Sequence, residues 1–210
     1  RVILAGIHSG SCPFTCNFHT HTMYSDGSLS PKDLYKQACN CGLKHMAITD
    51  HHDTRAFQHI REWRKNESED RSDSPSLWTG IEISCLLDNC LVHMLGLGFN
   101  NSHKSLLPYT FGDPATGSSL RAENVITAIH QAGGIAILAH PARYRKGFRE
   151  LINSAADINI DGAEAWYDYE YESRWTASRF VCSQVDKQLK SLGLLSTCGT
   201  DTHGYDITCR

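Results

Sequence analysis

Short apolar runs recur along the chain and alternate with longer stretches whose apolar positions repeat at helical spacing. Asn17-Phe18-His19-Thr20-His21 reads as a first strand. Ser30-Pro31-Lys32-Asp33 then supplies an N-cap, a proline at the first helical position and an acid in the first turn. The helix it opens carries Leu34, Ala38 and Cys41 on one face and stops at Gly42. Met46 to Thr49 is the next strand, and Thr54 to Lys65 the next helix, with Phe57, Ile60 and Trp63 inward. Residues 66–76, charged, Ser-rich and containing Pro75, read as a loop. Trp78 to Ile83 and Leu91 to Leu97 follow as apolar strands, and Gly98 to Ser118 as a Gly/Pro/Asn-rich loop.

The second half repeats the alternation. Ser119 to Ala132 fits a helix with Val125, Ile126 and Ile129 on one face, closed by Gly133-Gly134. Ile135 to Ala139 is wholly apolar, as a strand buried on both faces of a parallel sheet should be. Helices are predicted over Phe148–Ala156 and Trp175–Leu192, strands over Gly162–Trp166 and Leu194–Cys198. Seven strand candidates, most separated by helices, predict an α/β fold with a mainly parallel sheet. The pattern alone leaves open whether that sheet closes into a barrel. Residues 1–210 read as one domain, with 1–13 as a leading segment. The chain opens at Arg1, not at a methionine, which reads as a start inside a longer gene product.

Charge narrows the partners. A net charge of −3 with no long basic run argues against binding extended duplex nucleic acid. A short oligonucleotide held through metals remains compatible with it. No apolar stretch approaches the roughly 20 residues that span a membrane. Nine cysteines without paired C-x-x-C spacing read as reduced, mostly buried thiols of a cytoplasmic protein.

The chemistry-bearing residues fall at the strand ends. His19 and His21 end the first strand, Asp50 and His51 the second, Glu82 the third; His93 lies in the fourth, His140 ends the fifth, and Asp201 and His203 follow the last. In β/α barrels such ends carry the active site. Period-two spacing puts His19 and His21 on one face. Imidazoles mixed with carboxylates suit Zn, Mn or Fe better than Ca.

Phe18-His-Thr-His-Thr, Tyr24-Ser-Asp-Gly-Ser, Ile48-Thr-Asp-His, Gly80-Ile-Glu-Ile-Ser, Ala139-His-Pro and Gly199-Thr-Asp-Thr-His-Gly resemble, in order, the motifs of the polymerase and histidinol phosphatase (PHP) family. They run from residue 18 to residue 204. The resemblance implies a distorted seven-stranded β/α barrel, two or three divalent ions and phosphoester hydrolysis. It also implies ligand sets: His19, His21, Glu82 and Asp201 for one ion; Glu82 as a bridge with His93 and His140 for a second; Asp26, His51 and His203 for a third. Asp50 would support a ligand or move a proton beside His51. The run Asp50-His51-His52-Asp53 departs from the usual pattern; His51, directly after Thr-Asp, is the assigned ligand with His52 as the substitute, and turn chemistry in Ser25-Asp26-Gly27 is the lesser alternative for Asp26.

The expected reaction is in-line attack on phosphorus by a hydroxide bridging two ions, with the third stabilising the phosphate. Arg143, just past His140-Pro141, is the candidate phosphate contact. Tyr144 and the Tyr167–Trp175 segment are candidate walls for an organic leaving group. The favoured substrate is a small phosphomonoester or a nucleotide. The competing readings are exonucleolytic cleavage of short single strands, in either direction, and a non-catalytic accessory domain stabilised by metals.

Overall fold

The computed structural model describes residues 1–66 and 74–210, so most of the predicted 66–76 loop lies outside the described residues. Its ends do not: Asn66 closes a helix and Ser76 opens a strand. Among the described residues, eight strands form two sheets. β1 (Cys16–Asn17), β2 (His45–Ala47) and β3 (Ser76–Trp78) pair in parallel. The second sheet runs β4 (Gly80–Leu87), β5 (Cys90–Leu97), β6 (Ile135–Leu138), β7 (Gly162–Trp166) and β8 (Leu195–Cys198). Within it β5 is antiparallel to both neighbours, and β6, β7 and β8 are parallel. Asp88 and Asn89 turn the β4–β5 hairpin with φ of 46° and 59°, the left-handed pair that a two-residue primed turn demands.

The seven-stranded closed barrel is therefore corrected to sheets of three and five strands. The run Trp78–Ile83, continuous in its apolar pattern, breaks at Thr79. The Thr79 hydroxyl donates to the Phe99 carbonyl at 2.7 Å, and its own carbonyl accepts from Gly98 N at 2.8 Å. β3 thus stays with β2, while β4 begins the second sheet. Isolated bridges Thr20↔Thr202 and His51↔Glu82 join the sheets at the two seams.

Among the described residues, six α-helices flank the strands: α1 (Val2–Ala5), α2 (Pro31–Asn40), α3 (Arg55–Asn66), α4 (Ala122–Gln131), α5 (Phe148–Asp157) and α6 (Arg179–Ser191). The predicted cap of α2 is present, with Ser30 Oγ accepting from Asp33 N at 3.1 Å. α6 starts later than its apolar pattern suggested. Trp175 is buried away from it, beside Phe18 and Leu97 in a cluster that includes Leu4.

That cluster fills the space between the sheets, with Phe18, Ala47, Leu95, Ile137, Ala139 and Cys198. Leu4 brings the leading segment into the same packing. A larger cluster lies outside it, where β4 to β7 meet α4, α5 and α6, and a third lies under α2 and α3. Both faces of β4 and β5 are thus buried, and alternation decides what each face receives. Ile81 and Ile83 turn outward to the helices; Glu82, between them, turns inward. No helix among the described residues is long and apolar enough to cross a membrane. All nine cysteines are free thiols, six of them buried.

Candidate metal centre

Glu82 is the middle of the site. It is the third residue of eight-residue β4, not its end, and is fully buried. Its Oε2 lies 3.0 Å from His19 Nε2, 3.1 Å from His21 Nε2 and 3.5 Å from His51 Nδ1. Its Oε1 faces other partners, His93 Nδ1 at 2.9 Å and His140 Nε2 at 3.3 Å. One carboxylate therefore divides five imidazoles between its two oxygens.

Asp201 Oδ1 closes the first side at 3.2 Å from both His19 Nε2 and His21 Nε2. On the open side Asp26 Oδ1 lies 3.3 Å from His203 Nε2 and 3.6 Å from His21 Nδ1, while its Oδ2 is 3.7 Å from His51 Nε2. Three groups of ligand atoms result, each within 4.8 Å: His19, His21, Glu82 and Asp201; His51, Glu82 and His93; and His21, Asp26, His51 and His203. The first matches the expected set. In the second, His51 stands where His140 was expected, and His140 remains at hydrogen-bond distance from Glu82. The third adds His21 to the expected residues. His52 points elsewhere: its Nε2 accepts from Ser84 N at 3.2 Å, so His51 is the histidine of this motif that joins the cluster.

The donor set fits metal ions better than protons. His21 Nε2 is buried between two carboxylate oxygens, yet makes no hydrogen bond. His203 Nδ1 donates to the Asp201 carbonyl at 2.8 Å, which leaves Nε2 as the lone-pair nitrogen facing Asp26. His19 Nδ1 contacts Glu164 at 3.2 Å, which likewise leaves Nε2 for the cluster.

Electrostatics bind the group together. Burial raises the Glu82 carboxyl, but the charges of His19 and His93 and hydrogen bonds from His140 and His19 hold it well below the carboxylate range. Asp201 is lowered in the same way, burial being outweighed by His19 and His21. Burial, then the charge of His21 and His93, pushes His51 down to about 4, so it is neutral and ligand-ready near pH 7. The backbone is strained here as well: His140 and Asp201 have φ of 28° and 53°. Such left-handed residues cost about 1–3 kcal/mol each and persist where the surroundings fix them.

Asp50 is fully buried, and its oxygens accept from Thr22 N (2.6 Å), Thr22 Oγ1 (2.7 Å) and Ser25 Oγ (2.8 Å). It clamps the loop that carries Asp26. Tyr144 accepts from His93 N at 2.8 Å and packs against the outer core, so it reaches the ligand strands but does not line the cavity.

Sequence reasoning missed Glu164, Tyr167 as a site residue and Arg210. Glu164 sits in apolar β7, fully buried, between His19 Nδ1 and His140 N, from which it accepts at 2.9 Å. A lone carboxylate inside Gly162-Ala163-Glu164-Ala165-Trp166 was the available signal. Tyr167 donates to Asp201 Oδ2 at 2.6 Å, and Arg143 Nη1 to the same oxygen at 3.1 Å. Arg210 Nε is 3.4 Å from it. Asp201 thus turns one oxygen to the imidazoles and the other to a phenol and two guanidiniums. Above them opens a cavity of about 600 Å³, lined by ligand residues on one side and by Arg143, Tyr171 and Arg210 on another.

Comparison with known proteins bears on this geometry. A family model for the PHP domain matches residues 17–199. The chain belongs to the PHP family. Among its relatives is the 5'-3' exoribonuclease Rnm of Salmonella typhimurium, 33% identical over 90 residues, 43% of this chain and 29% of that protein. The chain thus spans under a third of the length of that relative. A 5'-3' exoribonuclease of Haemophilus influenzae is 29% identical over 70% of this chain and 77% of its own. In fold, a candidate metal-dependent phosphoesterase from Bifidobacterium adolescentis superposes with a TM-score of 0.72, at 20% identity, over 92% of this chain and 89% of that one. The expected family agrees with the family model, and the expected α/β fold with the structural match.

Proposed function

We propose that this PHP domain hydrolyses phosphoester bonds of nucleotides or short single-stranded RNA, using two to three divalent ions, Mn, Zn or Fe. The observation that carries the reading is the division of Glu82, Oε2 toward His19, His21 and His51 and Oε1 toward His93 and His140. A carboxylate so placed could serve an ion with each of its oxygens. When bound, the ions would make a water acidic enough to attack near neutral pH and would neutralise phosphate charge. His19, His21, Glu82 and Asp201 would hold one ion and His93 and His140 would complete a second about Glu82. Asp26, His51 and His203, on the exposed side, would hold the third.

The rest of the chain orients. Tyr167 fixes Asp201 so that Oδ1 keeps facing His19 and His21, and Asp50 fixes the loop bearing Asp26. Arg143 lines the cavity with its side chain 34% exposed, near enough to reach a phosphate while still tied to Asp201. Charge-assisted contacts of this kind suit phosphate oxygens. The 5'-3' exoribonuclease relatives support a nucleic-acid substrate, and the cavity volume also suits a single phosphomonoester.

The test is a panel of 5′-phosphorylated short RNAs, nucleoside monophosphates and sugar phosphates, offered to Mn-, Zn- and Fe-loaded protein. Stepwise shortening of RNA from its 5′ end is the expected result. Phosphate release from mononucleotides with RNA intact would select the phosphomonoester reading. Glu82→Ala should abolish either activity, and a parent protein inactive on the whole panel with every metal would sink the proposal.

A further inference from the structure

Beyond the metal ligands, the cavity wall is continued by residues of the segment after β7. Asp168 is fully buried, and its carboxylate gathers the backbone of the next residues. Oδ1 accepts from Glu170 N at 3.0 Å and Tyr171 N at 2.9 Å, and Oδ2 accepts from Glu172 N at 3.0 Å. This clamp holds Tyr171 at φ 59°, a left-handed conformation that a tyrosine seldom takes. The result is unusual for a large aromatic. Tyr167 is buried on Asp201, and the Tyr169 hydroxyl meets Ala142 N at 3.4 Å, but Tyr171 stands 64% exposed at the cavity.

Its ring is not loose. The Arg210 guanidinium lies 4.2 Å from the ring centroid, covering one face. Arg210 in turn rests 5.2 Å from the Tyr167 ring, and its Nη1 is buried without a hydrogen-bond partner. The Tyr171 ring is thereby braced on one face, on the same cavity as the carboxylates and imidazoles of the metal centre. A supported aromatic face beside a phosphate-directed site is how single-stranded bases are held, since every base has a stacking face.

We propose that Tyr171 is a stacking platform for the nucleobase adjoining the phosphate at the metal centre. Arg210 braces the platform, and Asp168 sets its height above the site. This rests on the phosphoester reading above and narrows it to substrates that carry a base next to the reacting phosphate. Because a stack reads no base edge, the subsite takes all four bases.

The experiment is calorimetric binding of inorganic phosphate, ribose 5-phosphate and adenosine 5′-monophosphate to the metal-loaded protein and its Tyr171→Phe and Tyr171→Ala variants. The parent should bind the nucleotide about five- to a hundredfold more tightly than ribose 5-phosphate. Tyr171→Phe should keep that ratio, and Tyr171→Ala should bring it close to one, with phosphate and ribose 5-phosphate affinities unchanged in both. An unchanged ratio in Tyr171→Ala overturns the platform, and so does its loss in Tyr171→Phe, which would assign the effect to the hydroxyl. A parent that binds ribose 5-phosphate and the nucleotide equally also overturns the platform while leaving the phosphoester reading intact. If the parent binds none of the three, that reading fails and takes the platform with it.

Discussion

At the scale of single residues, His19 shows how much of a metal centre lies behind its ligands. Three carboxylates surround its ring: Glu82 and Asp201 at Nε2, Glu164 at Nδ1. Burial lowers its basicity, but Glu82, Glu164 and Asp201 outweigh that and hold its pKa well above the usual value. Without metal the ring is then charged near neutral pH, and an ion must displace a proton to reach Nε2. The sign follows: affinity should rise with pH through the neutral range and beyond the ordinary histidine value, and metal uptake should release protons. Glu164→Gln keeps the size of the side chain but removes the charge that orients the ring. It should weaken metal binding about ten- to a hundredfold. Chelator competition at several pH values measures both effects. Affinity flat with pH and equal in parent and variant would show Glu164 to be mere packing.

At the scale of elements, the site depends on backbones that approach too closely for side chains. A Cβ on Gly199, just past β8, would sit 2.2 Å from His19 Cβ and 2.9 Å from Glu164 Oε1. One on Gly27 would meet the His21 carbonyl oxygen at 2.6 Å. Gly199→Ala must therefore push the His19 segment away from β7 and β8. Overpacking of this sort costs about 1–3 kcal/mol, here at the place where His19, Glu164 and Asp201 meet. A lower melting temperature together with weaker metal binding is expected, while an alanine variant equal to the parent in both would show that the segment yields freely. These glycines also bear on what the sequence disclosed. Their identities stand in the motifs, and the ligand set was legible because histidine and carboxylate at strand ends have few other uses. The strands from β5 onward and helices α4 and α5 were legible by period; the start of α6 and the 3-10 helix Lys104–Tyr109, inside the predicted Gly98–Ser118 loop, were not. The break at Thr79 was not, because it depends on one hydroxyl finding the Phe99 carbonyl twenty residues away. Nor was Arg210, which enters the site only through tertiary folding past the last motif.

At the scale of the whole molecule, the apolar cores and the metal ligands are separate. The three clusters of buried hydrophobic side chains contain none of the proposed ligands and include residues from every helix. Removing metal should therefore leave the secondary structure standing. What it removes is the binding free energy that favours the native state, about 2.7 kcal/mol when free metal stands at a hundred times its dissociation constant. For a chain of this size each kcal/mol shifts the midpoint by about 2–4 °C, so chelation should lower the melting temperature by about 5–11 °C. Far-UV circular dichroism before and after chelation, followed by melting with and without added Mn or Zn, tests both halves. The carboxylates left behind are not stranded, because the imidazoles of His19 and His21, both held above the usual histidine value by Glu82 and Asp201, stand in for the ions. That substitution is why collapse is not expected. If chelation instead erased the dichroism spectrum, the ions would be holding the two sheets together at the Thr20↔Thr202 and His51↔Glu82 seams, and their role would be structural before it was catalytic.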